Sequence, residues 1–211
     1  MLGMRRLERG DTLIEVLFAV TVFSFVVVSS LAIMNQGTAA AQRSLEISLV
    51  RQQVDAQADS LRFLHDSYVA AYRPGLSYNL ADGTTSPAEE WYRLTRSPSM
   101  VSTVSPLNNG GTSCSSAPGT AFIINPKTAR YVSASSLTRA TTYSRLAYNS
   151  SGALSAAQGL WVEAIRSGTS SDMNQQNAGY IDFHIRACWE APGTAAPMTI
   201  GTIVRLYEPR G

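Results

Sequence analysis

The chain has few of the side chains from which catalytic and metal sites are built. Its 211 residues include two histidines, two cysteines and a single lysine, and no His-Glu-x-x-His, Cys-x-x-Cys or phosphate-binding glycine motif. His65 belongs to a helical pattern. His184 shares a strand face with Asp182 and Arg186, which is typical of a solvated row of salt bridges. The sequence therefore predicts no enzyme, no cofactor and no metal site.

Positive charge is also scarce away from the N-terminus. The formal net charge is +2, and Arg5, Arg6, Glu8 and Arg9 contribute all of it, so the rest of the chain is formally neutral. Surfaces that bind nucleic acid normally carry clustered basic residues. The sequence therefore argues against a nucleic-acid partner.

No charged residue occurs between Val16 and Gln42, and the apolar part, Leu13 to Met34, has about the 20 residues that a membrane-spanning helix needs. The arginines that precede it place the N-terminus in the cytoplasm and the remainder outside. One acid, Glu15, lies in this segment. A charged side chain near the middle of a membrane helix costs about 3 kcal/mol, so we expect Glu15 to have a functional role.

Two simple interpretations account for part of this segment. A cleavable signal peptide would fit the basic start and the small residues Ala39-Ala40-Ala41, but its apolar region normally has only about 7–15 residues. A plain membrane anchor explains the length and leaves Glu15 without a purpose.

A third interpretation comes from a family resemblance. The segment "RGDTLIEVLFAV", residues 9–20, resembles the class III signal of type IV pilins and pseudopilins, in which a short basic leader ends in glycine before a Phe-Thr-Leu-Ile-Glu-like start. The resemblance implies that a prepilin peptidase cleaves after Gly10 and leaves Asp11 as the N-terminal residue. That family usually has Phe or Met at this position, so the departure leaves N-methylation of Asp11 open.

The resemblance also gives Glu15 a partner. In pilin-like filaments the glutamate at the fifth mature position is thought to pair with the α-amine of a neighbouring subunit, here that of Asp11. Pairing relieves much of the cost of a buried charge. The implied partners are the cytoplasmic membrane, the peptidase and other pilin subunits that bind through the N-terminal helix.

A helical pattern continues beyond the apolar segment. Apolar residues recur at steps of three and four, and the helix is predicted from Thr12 to about Tyr72, before the stop signal Arg73-Pro74-Gly75. Gly37 and the polar pair Asn35-Gln36 mark a weak point. The predicted divisions are a leader, 1–10, an apolar helix, 11–36, its amphipathic continuation, 37–73, and a globular head, 74–211.

The head is predicted to be an antiparallel sheet of four or five strands that packs on the amphipathic half-helix, an α+β fold that also resembles pilins. Ser86-Pro87-Ala88-Glu89 is a capping box that starts a short helix, Pro87 to about Leu94. The strands are predicted at "AFIIN" and "RYV" around residues 125–128, at 159–165, at "YIDFHIRACWE" and at 199–207.

Two cysteines are far apart in the sequence, Cys114 and Cys188. In an exported domain they would commonly form one disulfide, whereas in the cytosol they would be free thiols. Alternation places Cys188 on the face of its strand away from the core, where Cys114 could reach it from the long loop. Loops 97–120 and 167–177 are the natural places for recognition of a surface or tip ligand.

Together these features predict a minor pilin, made as a single-pass membrane precursor and then drawn into an extracellular or periplasmic filament. The alternatives are a pseudopilin of a type II secretion system and a membrane-anchored exported binding protein that never assembles. Adhesion, motility, DNA uptake and secretion are not distinguished by these residues.

Overall fold

A computed structural model of the protein describes residues 11–73, 78, 86–96, 100–108, 110–166 and 179–209. The chain divides after Ser44 into two compact units, which are described in turn. Helix α1, Asp11–Ala71, supplies most of the first unit and the beginning of the second. The predicted helix, Thr12 to about Tyr72, is confirmed to within one residue at each end.

The first unit is an apolar helix that is exposed all round. Its large hydrophobic side chains between Leu13 and Met34 are 39–74% exposed. A helix that is hydrophobic on every side belongs in a core or a membrane. The helix runs without a break through Gly37, the predicted weak point, where a side chain would meet nothing within 4 Å.

In the second unit α1 buries one stripe. Val50, Val54, Ala58, Leu61 and Leu64 are at most 4% exposed, and the ends of the predicted stripe, Ile47 and Tyr68, pack against them while partly buried. This confirms that the helix continues as the amphipathic element that the spacing predicts.

Helix α2, Pro87–Arg96, begins with the predicted capping box. The Ser86 N–H donates to Glu89 Oε2 at 2.6 Å, and the Glu89 N–H donates to Ser86 Oγ at 3.3 Å. Each side chain thus satisfies a backbone donor that the helix start leaves unpaired. The helix ends two residues later than predicted and buries Trp91 and Leu94 in the core.

The strands form two sheets. In the larger sheet the order is β3-β2-β7-β8-β9, with β1 parallel to β7, and the smaller sheet has the order β4-β6-β5. The strands are β1, Met100–Val101; β2, Phe122–Asn125; β3, Arg130–Ser133; β4, Leu137–Thr138; β5, Arg145–Tyr148; β6, Leu154–Gln158; β7, Leu160–Arg166; β8, Tyr180–Trp189; and β9, Met198–Tyr207.

The five predicted strands correspond to β2, β3, β7, β8 and β9, and the α+β fold is confirmed. The prediction of four or five strands is wrong in number, because it lacks β1 and the whole smaller sheet. Strands β1 and β4 have two residues each, and β5 and β6, "RLAY" and "LSAAQ", show no apolar alternation. Strand β1 depends on pairing with the distant β7, whereas β5 and β6 are neighbours in the chain and pair with each other.

Gly159 connects the two sheets. Gly159 lies between β6 and β7 and has a φ of +62°, so β7 begins at Leu160, one residue later than the sequence predicts. A Cβ at this position would collide with the Cys188 carbonyl. The Gly159 N–H donates to Thr138 O at 2.7 Å, and its carbonyl accepts from the Cys188 N–H at 2.8 Å. Only glycine adopts this backbone geometry without strain.

Two buried polar side chains fix α1 to the large sheet. Gln57 is fully buried and binds both backbone groups of Ile124 in β2: Nε2 donates to Ile124 O at 2.7 Å, and Oε1 accepts from the Ile124 N–H at 2.9 Å. Glu46 Oε2 accepts from the indole N–H of Trp189 at 3.0 Å. Buried polar groups of this kind require such partners, and the pattern of apolar residues gives no sign of either contact.

Replacing Gln57 with leucine tests this attachment. Because both Ile124 groups would stay buried without a partner, we expect the free energy of unfolding to fall by about 2–4 kcal/mol. Urea unfolding of the full chain in detergent micelles, followed by tryptophan fluorescence, measures the change. Gln52→Leu, on the exposed side of the same helix, is the control and should change it by less than about 0.5 kcal/mol. Equal effects of the two variants would contradict this account.

Candidate functional site

The candidate site is the exposed apolar part of α1 that contains Glu15. Among the described residues α1 is the one helix long and apolar enough to cross a membrane, and none of its most apolar window is buried. At 1.5 Å per residue, the segment from Leu13 to Met34 is about 33 Å long, which matches the hydrocarbon core of a bilayer. Length and composition are therefore those of a membrane anchor.

Three hydroxyl groups of this segment are satisfied within the helix. Thr21 donates to Phe18 O at 2.8 Å, Ser24 to Val20 O at 2.7 Å, and Ser30 to Val26 O at 2.8 Å. Hydroxyls that return to the preceding turn in this way add little polarity to the outside of the helix. They make the segment compatible with an apolar environment despite its serines and threonines.

The carboxylate of Glu15 has no hydrogen-bond partner of this kind among the described residues of the helix. Its side chain is exposed, and no side chain in the described part of the chain forms an ion pair or hydrogen bond with it. A carboxylate cannot donate to its own helix as a hydroxyl does. If lipid or protein surrounds this segment, the charge needs a cation from outside the described chain.

The two predicted processing residues lie at the edge of the described structure. Asp11 is the first residue of α1, one helical turn before Glu15, whereas Gly10 lies outside the described residues. A cleavage after Gly10 would free an α-amine at the start of this helix.

The disulfide between Cys114 and Cys188 is present, with 5.7 Å between the two Cα atoms. It lies on the face of β8 away from the main core, as the alternation predicts. Together with Ala121 and Trp161, the two cysteines form a second, smaller buried cluster. The bond therefore fixes the segment before β2 to the outer face of the large sheet.

That outer face is not the solvated row of salt bridges that the sequence predicts. Glu163 is fully buried beneath the segment that contains Ser105 and forms an ion pair with Arg186, at 3.0 Å. The Ser105 N–H donates to Glu163 Oε1 at 3.0 Å, and Arg186 Nη1 donates to the Ser105 carbonyl. The pair thus holds both backbone groups of one residue in the covering segment. The sequence contains one indication that this face is covered: Trp161 and Ile165, on the same face of β7 as Glu163, are apolar.

A second ion pair on this face is partly exposed. Arg205 of β9 binds both carboxylate oxygens of Asp182 at 2.7 Å and lies over the ring of Tyr180, at 3.9 Å from its centroid. The hydrogen bonds from Arg205 lower the pKa of Asp182 below its usual range. His184 lies between the two ion pairs, and among the described residues no hydrogen bond joins its ring to either of them.

The other candidate residues from the sequence, His65 and the tryptophans, make structural contacts. His65 Nε2 bonds to the Tyr207 carbonyl at 2.8 Å, and the ring packs against Trp91. Trp91, Trp161 and Trp189 are at most 2% exposed, as expected for core residues. Within the described ranges no group of three or more His, Cys, Asp or Glu side chains is placed to hold a metal ion. The predicted recognition loop 167–177 lies outside the described residues.

No family model matches the chain, and comparisons with curated proteins and with solved structures find no match either.

Burial, more than hydrogen-bond geometry, should decide the strength of the two ion pairs. Glu163→Ala leaves the partly buried Arg186 and Ser105 without their partner, and we expect the free energy of unfolding to fall by about 3–5 kcal/mol. Asp182→Ala removes a shorter, bidentate but more exposed pair, and the expected loss is about 1 kcal/mol or less. Urea unfolding of both variants measures the difference. A larger loss for Asp182→Ala would contradict this ranking.

The stability of the head should fall in mild acid through His184. Burial lowers the pKa of His184, outweighing the carboxylates of Asp182 and Glu163 that raise it. The unfolded chain therefore binds this proton at higher pH than the folded chain. The contribution to stability is complete above the ordinary value of about 6.5 and is lost as the pH falls through the folded-state pKa.

The variant His184→Gln should remove this part of the pH dependence. Urea unfolding midpoints at about pH 7.5 and about pH 5 should differ less in the variant than in the unmodified chain. The same difference in both proteins would contradict the assignment to His184.

Proposed function

We propose that the protein is a pilin-like subunit of a type IV filament system, and a minor pilin in particular. The observation that carries the proposal is the single carboxylate, Glu15, in the otherwise apolar and exposed segment from Leu13 to Met34, the start of which lies in a sequence that resembles a prepilin signal, Arg9 to Val20. The α+β head that follows the helix supports the same proposal.

The first step is membrane insertion. The apolar segment enters the cytoplasmic membrane with Arg5, Arg6 and Arg9 on the inner side, so the head is exported. The disulfide between Cys114 and Cys188 supports export, because disulfides persist in oxidising compartments and are rare in the cytosol.

The second step is processing. A prepilin peptidase cleaves the Gly10–Asp11 bond and releases the short basic leader. The new α-amine of Asp11 is cationic near neutral pH, since an ordinary α-amine has a pKa of about 7.7–8.0. A cation is thereby created at the start of the helix, one turn before Glu15, and the carboxylate of Asp11 itself competes with Glu15 for it.

The third step is assembly. A subunit that leaves the membrane brings Glu15 next to the α-amine of its neighbour, and each charge relieves much of the other's cost of burial. Other registers leave a carboxylate and an amine unpaired in an apolar setting. The pair therefore selects one register of helix packing. The aspartate at position 11, in place of Phe or Met, favours a minor over a major pilin.

Glu15→Gln tests the proposal. The change keeps size and polarity but removes the charge, so we expect the variant to be inserted and cleaved normally in its native cells. Its amount in sheared surface filaments, measured by immunoblot, should fall by at least about tenfold because the neighbour's amine stays unpaired.

Ser24→Ala is the matched control, because Ser24 bonds only to its own helix at Val20. It should assemble like the unmodified chain. Normal filament entry of Glu15→Gln would overturn the proposed role and leave a plain membrane anchor. Recovery in a periplasmic filament that accompanies protein secretion, without surface filaments, would identify a pseudopilin.

A further inference from the structure

Strand β9 ends the large sheet and has a long open edge. It pairs with β8 over ten residues in a continuous register from Tyr180↔Tyr207 to Trp189↔Met198, without a bulge. In the described part of the chain no other strand pairs with it.

The hydrogen-bond phase shows which residues face that edge. The Glu208 N–H donates to Gly179 O at 2.8 Å, so the even-numbered residues of β9 bond to β8. The bond from the Cys188 N–H to Gly159 O, at 2.8 Å, gives the same phase from the other side of β8. The backbone groups of the odd-numbered residues therefore point outward, and Tyr207 O accepts from His65 on this side.

The edge lacks the features that normally prevent strand pairing. Proteins protect open edges with lysine, proline, bulges or charged side chains. Between Met198 and Tyr207 there is no lysine, no proline and no bulge. The one charged residue, Arg205, is bound to Asp182. Ile203, in the middle of the strand, is 60% exposed.

We propose that β9 pairs with β9 of a second copy of the protein, antiparallel, about a two-fold axis at Ile203. The hydrogen-bonded pairs are Ile203 with Ile203 of the partner and Gly201 with Arg205, in both directions, which gives about six backbone hydrogen bonds. On the opposite face Ile200 meets Leu206 and Thr202 meets Val204, so apolar or β-branched side chains lie across from each other.

The neighbouring registers are less favourable. An axis at Gly201 places Pro197, which has no N–H, opposite Arg205. An axis at Arg205 places two arginines directly opposite each other, which is destabilising. The axis at Ile203 avoids both, and its bonded pairs end before Tyr207, whose carbonyl already accepts from His65.

An interface of this length is small compared with the roughly 1,600 Å² of a stable complex. The pairing is therefore weak in dilute solution and forms where copies are concentrated, as in a membrane. It depends on the edge of the head and does not rest on the role proposed for Glu15.

A cysteine at the axis tests the pairing. Full-length Ile203→Cys is placed in lipid vesicles and treated with a bis-maleimide linker of about 8 Å, which reaches between Cα atoms about 5.5 Å apart. Thr199→Cys is the control on the same edge. Its partner copy lies about 27 Å away in this register, at about 3.4 Å per residue. The native cysteines do not react, since they form a disulfide.

We expect at least about tenfold more covalent dimer from Ile203→Cys than from Thr199→Cys, as the distances require. An excess of a synthetic peptide of residues 198–207 should abolish it. Equal yields, or no dimer from either variant, would overturn the proposal. Cross-linking of Ile203→Cys in native membranes to a different protein alone would also overturn it. An unchanged urea midpoint confirms that each variant is folded.

Discussion

The arrangement of this protein depends on a helix surface that water cannot solvate well. Between Leu13 and Met34 the large side chains are apolar on every side, and the hydroxyls of Thr21, Ser24 and Ser30 turn back onto the helix backbone. Such a segment is suited to lipid or to packing against other apolar helices. In that environment Glu15 is the one charge that it carries, and under the proposed function the need to pair this charge links the anchor to assembly.

In the head, buried polar side chains form hydrogen bonds with backbone groups that have no partner strand. Gln57 binds both backbone groups of Ile124, and the ion pair of Glu163 and Arg186 binds both backbone groups of Ser105. In both cases side chains satisfy the N–H and C=O groups that a neighbouring strand would otherwise satisfy. These contacts, with the disulfide, fix α1 to one face of the large sheet and the segments around Ser105 and Cys114 to the other.

The sequence is informative where a pattern is local. The strict alternation of β8 predicts both its core face and the position of Cys188, and the capping box predicts the start of α2. The burial of Glu163 could not be predicted in this way, because its cover comes from a segment about 58 residues earlier in the chain. The smaller sheet could not be predicted for a different reason: β4 has only two residues, and β5 and β6 lack apolar alternation, so none of the three shows the periodicity of a strand.

For Glu15, the limit lies in what a single chain can show. Its position in an apolar segment is visible in the sequence and its exposure in the structure. Under the proposed function its partner belongs to another molecule, so a single chain identifies the charge but does not contain the pair.

The most direct test is the intact mass of the protein made in its native cells, with mapping of its N-terminal peptide. The account predicts a chain that begins at Asp11, with or without an N-methyl group, because only cleavage after Gly10 creates the amine that Glu15 needs. A chain that begins at Gln42, or one that keeps its first ten residues, would contradict it.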